Sequence, residues 1–523
     1  MSRTFKNPIL RGYHPDPSIC RVEDDFYLVT STNSFFPGVP LYHSRDLVNW
    51  ELKRYILDRP SQIPLKATLM AGGIYAPTLR YHNGVFYMIT TNANCGGNFV
   101  VTTRDIEGDW SEPHWIENAP GIDPSLFWDD DGKCYYTGTS RELGIWVQEF
   151  DDQNFRLIGE RTCLWRGALH DCWSPEAPHI IKKYGWYYLM IAEGGTEQDH
   201  AVTIARSPSI TGPYVGNEAN PILTHRHLGM MYPLSNMGHA DLVELKDGSW
   251  YMVLLGTRIY GGYHKNLGRE TFLAPVVWEA GWPVVNPMKG IVELVSEAPN
   301  LPEHPFKTPS SPKQDFLSPV FNHLGTPVNH PCRVENGELF IRCLKTSVTP
   351  GDPNASDEGA FPFYGRRQQH MSFRASVLLD VPRASGASCG IMILQNAFCQ
   401  LRFEIVNESG TLRARAEQYE KDTPDIMNPS SRKRLAYQEI HRRELFSCPV
   451  SDFRNELTLS AKGQEITLFL NGKTAAQTDG GFLGSETSGG FIGSYIGLFA
   501  SGNGQDMDAE ARFLRMDYEG LDD

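Results

Sequence analysis

Short apolar stretches alternate with tight polar turns through the first 260 residues of the chain, a pattern that predicts β-strands. The stretches are organised in a unit that has a short polar start, an apolar run, a turn and an aromatic pair. Five copies of this unit begin at Asp16, Ala76, Asp123, Glu176 and Ala240. Their starts lie 47 to 64 residues apart, and a unit that returns at such a period is typical of a propeller or a solenoid.

The turn between the first two strands of each copy uses residues that tolerate tight backbone geometry, as in His82-Asn83-Gly84. Helical periodicity is hard to find beside these turns. The sequence therefore predicts a five-bladed β-propeller over residues 1–298. Equivalent positions in propeller blades lie on one ring around one axis. We therefore expect Asp16, Asp123 and Glu176, which share a position in the unit, to face one another across a common funnel.

The repeat ends before a proline-rich stretch, residues 299–313, which predicts a stiff and exposed linker. Strand patterns continue over residues 314–523 without the repeat, and Asn471-Gly472 has the composition of a hairpin turn. About 200 residues of antiparallel strands without a repeat are typical of a β-sandwich. The predicted fold class is all-β, with a five-bladed β-propeller followed by a β-sandwich domain.

The charge and composition of the chain narrow its partners. A formal net charge of −14 argues against nucleic acid or an anionic membrane. No apolar run approaches the roughly 20 residues that span a bilayer. The first residues lack the apolar core of a secretory signal, and none of the ten cysteines forms a CxxC pair. Free thiols in a reducing cytoplasm are therefore the expectation.

Three converging acids suit the hydrolysis of a glycosidic bond. This reaction needs one protonated carboxyl group that delivers a proton to the leaving oxygen, and one carboxylate that acts as base or nucleophile. A third carboxylate can hold the pKa of the acid up by like-charge repulsion. Glu176 has the longer reach of a proton donor, whereas chemistry alone leaves open whether Asp16 or Asp123 is the base. The alternative is a set of polar strand starts that are simply solvated in the central channel.

Several ordered motifs make the resemblance to a known family specific. They are His14-Pro15-Asp16-Pro17-Ser18, Phe36-Pro37-Gly38-Val39, Gly72-Gly73-Ile74-Tyr75-Ala76-Pro77, Gly121-Ile122-Asp123-Pro124-Ser125, Pro175-Glu176-Ala177-Pro178-His179, Gly238-His239-Ala240-Asp241, Leu267-Gly268-Arg269-Glu270-Thr271 and Gly365-Arg366-Arg367-Gln368-Gln369. With these motifs the chain resembles glycoside hydrolase family 43, five-bladed propeller enzymes that cleave β-xylosides and α-L-arabinofuranosides. The resemblance extends over nearly the whole chain.

The resemblance implies an inverting mechanism and a role for each acid. Asp16 corresponds to the general base that activates water, Glu176 to the general acid, and Asp123 to the residue that raises the pKa of Glu176 and orients it. Arg269 corresponds to the arginine that binds sugar hydroxyls in the innermost subsite. His239 corresponds to the family histidine on the propeller axis, where a structural calcium ion is often held through water; no cofactor is required for the chemistry.

The resemblance also suggests the walls of the sugar pocket. Phe36, Tyr75 and Trp173 are the candidate aromatic walls. In related enzymes a loop of the sandwich domain reaches the active site, and Gly489–Tyr495 is the candidate for that loop. Such a loop would make a blunt pocket, which favours release of one terminal or side-chain sugar over cleavage within a polymer.

Two positions bear on the substrate. The β-xylosidases that the chain resembles tend to carry an aromatic residue where Asn33 stands and a tryptophan where Tyr75 stands. The more polar wall favours an exo-acting α-L-arabinofuranosidase, with arabinoxylan or its pentose-containing oligosaccharides as substrates. The alternative is a β-1,4-xylosidase, or an enzyme with both activities.

Two further alternatives are more distant. A retaining enzyme of the invertase type also joins a five-bladed propeller to a β-sandwich, but it carries an Asn-Asp-Pro-Asn type of nucleophile motif, whereas this chain has His14–Ser18. A non-catalytic carbohydrate-binding propeller would leave the three acids without a purpose.

Overall fold

The structure is a computed structural model, and nearly all of its regular elements are β-strands. It describes residues 4–67, 70–169, 173–298, 300–304, 312–328, 331–349, 351–355, 361–421 and 440–522. The helical elements in these ranges are one short α-helix, α1 (Ser485–Ser488), and two 3-10 turns, Arg226–Leu228 and Gly481–Leu483. None of the described helices is long and apolar enough to cross a membrane.

Five antiparallel sheets, each folded from one continuous stretch of chain, form the blades of a propeller. Blade 1 contains β2 (Ser18–Val22), β3 (Asp25–Val29), β5 (Gly38–Ser44) and β6 (Glu51–Leu57). Blade 2 contains β7 (Thr78–His82), β8 (Val85–Asn92), β9 (Gly97–Thr103) and β10 (His114–Trp115). Blade 3 contains β11 (Ile122–Trp128), β12 (Cys134–Ser140), β13 (Gly144–Asp151) and β14 (Arg156–Trp165). Blade 4 contains β15 (Glu176–Lys183), β16 (Trp186–Glu193), β17 (Ala201–Ser207), β18 (Val215–Gly216) and β19 (Leu223–Thr224). Blade 5 contains β20 (Leu234–Glu244), β21 (Trp250–Arg258), β22 (Glu270–Glu279) and β23 (Trp282–Val285).

The ring of blades closes without a strand shared between blades 5 and 1. Instead, the N-terminal segment runs beside blade 5 before it enters blade 1. Its first strand, β1 (Thr4–Lys6), pairs with β24 (Val295–Glu297). Farther on, the backbone N–H of Ile9 donates to the carbonyl of Thr271 at 2.9 Å, and that of His14 donates to the carbonyl of Arg269 at 2.9 Å.

Two antiparallel sheets face each other in the second domain. One follows the order β33 (Ile440–Val450), β32 (Thr411–Lys421), β31 (Gln400–Glu408), β30 (Ser388–Leu394), β37 (Tyr495–Ser501), β28 (Phe361–Arg367), β25 (Phe321–Leu324) and β4 (Phe35–Phe36). The other follows the order β26 (Cys332–Glu335), β27 (Glu338–Arg342), β38 (Glu510–Gly520), β29 (Phe373–Asp380), β34 (Arg454–Lys462), β35 (Glu465–Leu470) and β36 (Lys473–Asp479). Alternate side chains of both sheets, such as Phe403 and Phe513, fill the core between them.

The two domains are joined by shared structure rather than by a linker alone. Strand β4 belongs to the propeller segment by sequence but is the edge strand of the sandwich sheet, where Phe36 pairs with His323. The Phe35 ring stacks on Tyr495 with ring centres 3.8 Å apart. The buried Arg367 donates from Nε to the carbonyl of Tyr13 at 2.7 Å. The sandwich is therefore fixed against the propeller close to the first repeat unit.

The predicted fold, a five-bladed propeller followed by a β-sandwich, is confirmed. The hairpin turn predicted at Asn471-Gly472 joins β35 to β36. Of the predicted linker, residues 299 and 305–311 lie outside the described residues. The nine described cysteines form no disulfide, and Cys172 lies outside the described residues.

Candidate active site

The three acids of the repeat converge on one cavity at the end of the propeller axis. Asp16 lies just before β2, Asp123 lies in β11 and Glu176 begins β15, and these are the innermost strands of three different blades. All three line a cavity of about 220 Å³. This volume is smaller than the roughly 300–1,000 Å³ of drug-sized ligand sites, and it suits one sugar ring better than a stretch of polymer.

The structure corrects the register that the sequence suggested for Glu176. Asp16, Asp123 and His239 adopt positive φ values of 55°, 56° and 47°, and in blade 4 the residue with this backbone is Ala177, at 56°. Glu176 therefore lies one position before the equivalent of Asp16. An L-residue in this conformation costs on the order of 1–3 kcal/mol, and such strain is characteristic of functional sites.

Asp16 lies in a cationic environment. The Arg269 guanidinium donates from Nη1 to Asp16 Oδ1 at 2.7 Å, and the Ser31 hydroxyl donates to Oδ2 at 2.5 Å. His239 Nδ1 lies 3.6 Å from Oδ1. Burial alone would raise the pKa of Asp16, but the Arg269 charge and the Ser31 hydrogen bond outweigh it and hold this pKa below its usual value. Asp16 is therefore ionised at neutral pH.

Asp123 and Glu176 have the opposite electrostatics. Asp123 accepts one hydrogen bond, from the backbone N–H of Ala177 at 3.2 Å. Burial, followed by the charges of Glu176 and Asp16, raises the pKa of Asp123 well above its usual value. Burial and the Asp16 charge raise the pKa of Glu176 to about 7, although Arg269 opposes this rise. The pair therefore retains a proton near neutral pH while Asp16 has none.

His239 lies beside Asp16 as a neutral ring, because burial lowers its pKa. The buried His200 lies nearby, and its Nδ1 is 2.9 Å from the carbonyl oxygen of Asn236. Burial lowers the pKa of His200 to about 3, so it is neutral as well. Neither histidine competes with Arg269 as the cationic partner of Asp16.

Two of the four predicted wall residues lie along the inner part of the cavity. Asn33 and Tyr75 both line it. Asn33 is fixed by a hydrogen bond from its Nδ2 to the carbonyl of Ala71 at 2.9 Å and by one from the Tyr13 hydroxyl to its Oδ1. These two hydrogen bonds hold the Asn33 side chain in place as a polar part of the cavity wall.

Trp173 forms the outer wall, with 61% of its surface exposed. Its ring lies against Gly195, where an added Cβ would be 2.5 Å from Trp173 Cζ2. Phe36, in contrast, does not line the cavity. Because β4 pairs with the sandwich sheet, its ring is buried with Val39 and Ile63 in the blade core.

The loop of the sandwich domain predicted at the active site is confirmed. Phe491 lines the cavity, and its carbonyl accepts a hydrogen bond from Arg269 Nε at 3.1 Å. The loop approaches the propeller backbone at Gly268, where an added Cβ would lie 2.7 Å from Gly493 Cα. The wall from the second domain thus also orients the arginine that pairs with Asp16.

Sequence reasoning did not find the residues that line the cavity after β16. Thr196 and Glu197 belong to the loop that follows Gly194 and Gly195. No motif marks them, since they lie beyond the end of a strand in a segment without a repeat. The two adjacent glycines, both at positive φ, are the sequence signal that could have indicated a close approach here.

A propeller that buries three carboxylates of unequal basicity in one small cavity has the chemistry of a glycoside hydrolase. The family model "Glycosyl hydrolases family 43" matches residues 5–283, and the model "Beta xylosidase C-terminal Concanavalin A-like domain" matches residues 313–519. The chain belongs to glycosyl hydrolase family 43.

Related proteins carry names of two activities. A "Xylosidase/arabinosidase" of Butyrivibrio fibrisolvens is 45% identical over 427 residues, which cover 78% of this chain and 81% of that protein. The "Non-reducing end alpha-L-arabinofuranosidase BoGH43B" of Bacteroides ovatus is 39% identical, covering 75% and 74%. The "Beta-xylosidase" of Bacillus subtilis is also 39% identical, covering 72% and 74%.

Solved structures agree with this family over the whole chain. "Bacteroides ovatus Xyloglucan PUL GH43B" superposes with a TM-score of 0.87 at 34% identity, covering 99% of this chain and 100% of that one. A xylan beta-1,4-xylosidase from Bacillus halodurans superposes with a TM-score of 0.86 at 30% identity, covering 98% and 100%.

The contact between Gly268 and the sandwich loop gives a first test. In Gly268→Ala the new methyl group displaces the loop and moves Phe491 and Arg269. Because a displacement of about 1 Å can cost up to roughly a hundredfold in rate, we expect kcat/KM for an aryl pentoside to fall about ten- to a hundredfold. The measurement is steady-state kinetics.

Gly290→Ala is the matched control. Gly290 has a similar φ of 67° and open space around it, against a φ of 71° at Gly268. Both variants should lose about 1–2 kcal/mol of the free energy of unfolding from the strained alanine. Equal kcat/KM in the two variants would contradict a role of the loop in the cavity.

Proposed function

We propose that this enzyme removes terminal or side-chain α-L-arabinofuranosyl groups from arabinoxylan or its oligosaccharides, with inversion at the anomeric carbon. The observation that carries the proposal is the small cavity in which Asp16 is ionised and the Asp123–Glu176 pair is protonated. An ionised base and a protonated acid on one sugar ring are what direct displacement by water requires.

Each acid then has one role in the reaction. Asp16 accepts a proton from a water molecule as the water oxygen attacks the anomeric carbon. Glu176 donates its proton to the glycosidic oxygen as the bond to the leaving group breaks. Asp123 holds the pKa of Glu176 up, since the repulsion between two carboxylates acts on both. The cycle ends with Asp16 protonated and Glu176 ionised, and exchange with solvent restores both.

The inner wall supports an arabinofuranosyl group as the sugar that is released. Asn33 and Tyr75 offer an amide and a phenol where an aromatic hydrocarbon wall would favour stacking. Arg269 lies within reach of a sugar hydroxyl while it remains paired with Asp16. The wall at Phe491 and Trp173 leaves room for a single terminal unit.

A β-1,4-xylosidase, or an enzyme with both activities, is the second candidate. The relatives named β-xylosidase and xylosidase/arabinosidase match 72% and 78% of the chain, and the arabinofuranosidase matches 75%.

The proposal also includes where the protein works. A reducing compartment is supported by the nine described cysteines, which form no disulfide.

The deciding experiment compares 4-nitrophenyl α-L-arabinofuranoside with 4-nitrophenyl β-D-xylopyranoside under identical conditions. We expect the higher kcat/KM for the arabinoside, together with release of arabinose from arabinoxylan oligosaccharides. NMR of the first product reports the anomeric configuration. Preference for the xyloside would establish the second candidate, and turnover of neither would contradict both.

Removal of the proton donor tests the role of Glu176. In Glu176→Ala we expect hydrolysis of natural oligosaccharides to fall about 10²–10⁴-fold, the usual contribution of general acid catalysis. A 2,4-dinitrophenyl glycoside should lose much less, because its leaving group needs no proton. Equal losses on the two substrates would contradict the assignment, and an unchanged melting temperature shows that the fold is intact.

The pH profile tests the role of Asp123. Asp123→Asn removes the carboxyl group that repels ionised Glu176, so the pKa of Glu176 should fall. Because Glu176 acts in its protonated form, the basic limb of the kcat/KM profile should move to lower pH. The acidic limb should move less, since Arg269 and Ser31 still hold Asp16. An unmoved basic limb would refute the modulating role.

A further inference from the structure

A single arginine crosses the centre of the propeller directly behind the acids. Arg80 lies on β7 in blade 2, a blade that supplies none of the acids. Its guanidinium donates from Nη1 to Asp241 Oδ2 at 2.8 Å and from Nη2 to Asp241 Oδ1 at 3.2 Å. It also donates to Ser18 Oγ at 3.2 Å and to His179 Nδ1 at 2.9 Å. Because these partners belong to blades 5, 1 and 4, the guanidinium lies across the axis.

Five residues occupy equivalent positions in the five blades, and we refer to them as the axial ring; three of them contact this guanidinium. They are Ser18, Thr78, Ser125, His179 and Asp241. The three acids and His239 each lie two or three residues before a member of the ring on the same segment. Asp16 precedes Ser18 by two residues, and His239 precedes Asp241 by two. The position of the ring thus fixes the position of the cavity residues.

The hydrogen bonds define the protonation states of the axial ring. A guanidinium can only donate, so His179 Nδ1 is an acceptor. Ser125 Oγ also lies 3.1 Å from the same nitrogen. Burial lowers the pKa of His179 to about 3, which keeps its imidazole group neutral. Burial opposes ionisation of Asp241, but its ion pair with Arg80 and the hydrogen bond from Ser18 lower its pKa to about 2. One cation therefore faces one anion on the axis.

The axial ring does not offer direct protein ligands to a calcium ion. Calcium takes six to eight oxygen ligands, at about 2.3–2.6 Å. Asp241 is the ring's only carboxylate, and both of its oxygens accept from Arg80. The hydroxyl groups of Ser18 and Thr78 are engaged as donors, to Asp241 at 2.8 Å and to the carbonyl of Pro124 at 2.9 Å.

The surroundings of His239 fit an ion no better. Across the described ranges no group of three or more His, Cys, Asp or Glu side chains could hold a metal. His200 Nε2 is a buried atom without a partner, but a single imidazole nitrogen is a poor ligand for calcium. The oxygen Oδ1 of Asp16, which faces His239, already accepts from Arg269.

We infer that the Arg80 guanidinium is the built-in axial cation of this propeller and takes the place of the calcium ion that the resemblance suggests near His239. Arg80 is a positioning residue, since it touches none of the three acids in the cavity. It ties the inner strands of blades 1, 4 and 5 to blade 2 and so holds Asp16 and Glu176 at their working separation. The inference rests on the proposed function only where kcat and KM are measured. Calcium binding and the melting temperature are independent of it.

The wild-type enzyme gives the first test. After treatment with EDTA, we expect kcat, KM and the melting temperature to remain unchanged, and added CaCl₂ to have no effect on any of them. Isothermal titration of the EDTA-treated protein with CaCl₂ should show no stoichiometric binding. Loss of activity with EDTA that CaCl₂ restores, or a stoichiometric calcium site, would overturn the inference.

Arg80→Ser gives the second test. The variant leaves an anionic space lined by Asp241 and His179, and we expect kcat to fall about a hundredfold through displacement of the acids. Millimolar guanidinium chloride should restore part of kcat, whereas equal concentrations of sodium chloride should not. An unchanged kcat, or a loss that guanidinium does not rescue, would contradict the inference.

Two further variants complete the experiment. Arg206→Ser is the matched control, because Arg206 is a partly buried arginine that packs on Trp282 and bonds the carbonyl of Gly281, away from the axis. Its kcat should stay close to that of the wild type and should not respond to guanidinium. Arg80→Lys keeps the positive charge but loses the planar set of guanidinium N–H donors. Its kcat should therefore lie between those of the wild type and Arg80→Ser. A kcat as low as that of Arg80→Ser would contradict a role for the cation.

The two proposals fail in different ways. If the wild type hydrolyses neither aryl pentoside, the proposed substrate fails, and the calcium titration and the melting temperatures still decide the axial cation. If the wild type hydrolyses one of them but depends on calcium, the proposed function stands and the axial inference fails.

Discussion

The joint between blades 5 and 1 is the constraint on which the active site depends. No strand of the described residues is shared across it, so backbone contacts of the N-terminal segment, side-chain packing and the Ser18–Asp241 hydrogen bond close the ring. The His14 carbonyl accepts from Thr271 Oγ1 at 2.7 Å while its N–H donates to the carbonyl of Arg269. Two residues later the chain delivers Asp16 to the same arginine, at 2.7 Å. The same segment of chain therefore closes the ring of blades and places Asp16 against Arg269.

Positive charge is divided unequally among the three carboxyl groups of the cavity, and their protonation states follow from this. Arg269 and Ser31 contact Asp16, whereas Asp123 has one backbone N–H as its donor. Three carboxylates in a poorly hydrated space cannot all ionise, because burial and mutual repulsion raise their pKa values. The carboxylate with the cation loses its proton, and the other two retain one. Acid and base are thus assigned by hydrogen bonds rather than by residue type.

The sequence predicted those features that repeat along it. The five units located the blades, and the position of Asp16 and Asp123 within the unit brought them to one cavity. Glu176 was displaced by one residue because the left-handed backbone at Ala177 leaves no trace in composition. Outer strands such as β14, in which a single residue is fully buried, lack the apolar alternation that predicts a strand.

Contacts between distant segments were harder to predict. Phe36 was expected at the sugar from the resemblance, but pairing of β4 with β25 places its ring in the core. Phe491 could be expected from the resemblance, whereas the signal near Glu197 was limited to the two glycines that precede its loop. The Arg80 contacts depend on the closed ring, since its partners come from three other blades.

The wall at Phe491, which the second domain contributes, also determines when during synthesis the active site is complete. Its carbonyl reaches the Arg269 side chain across 222 residues of sequence. At about 5–20 residues per second, a ribosome needs on the order of 10–45 s to add that stretch. During this interval the propeller segment already exists as a chain but lacks the Phe491 wall and the carbonyl that orients Arg269. The active site is therefore complete only when the last domain has been made.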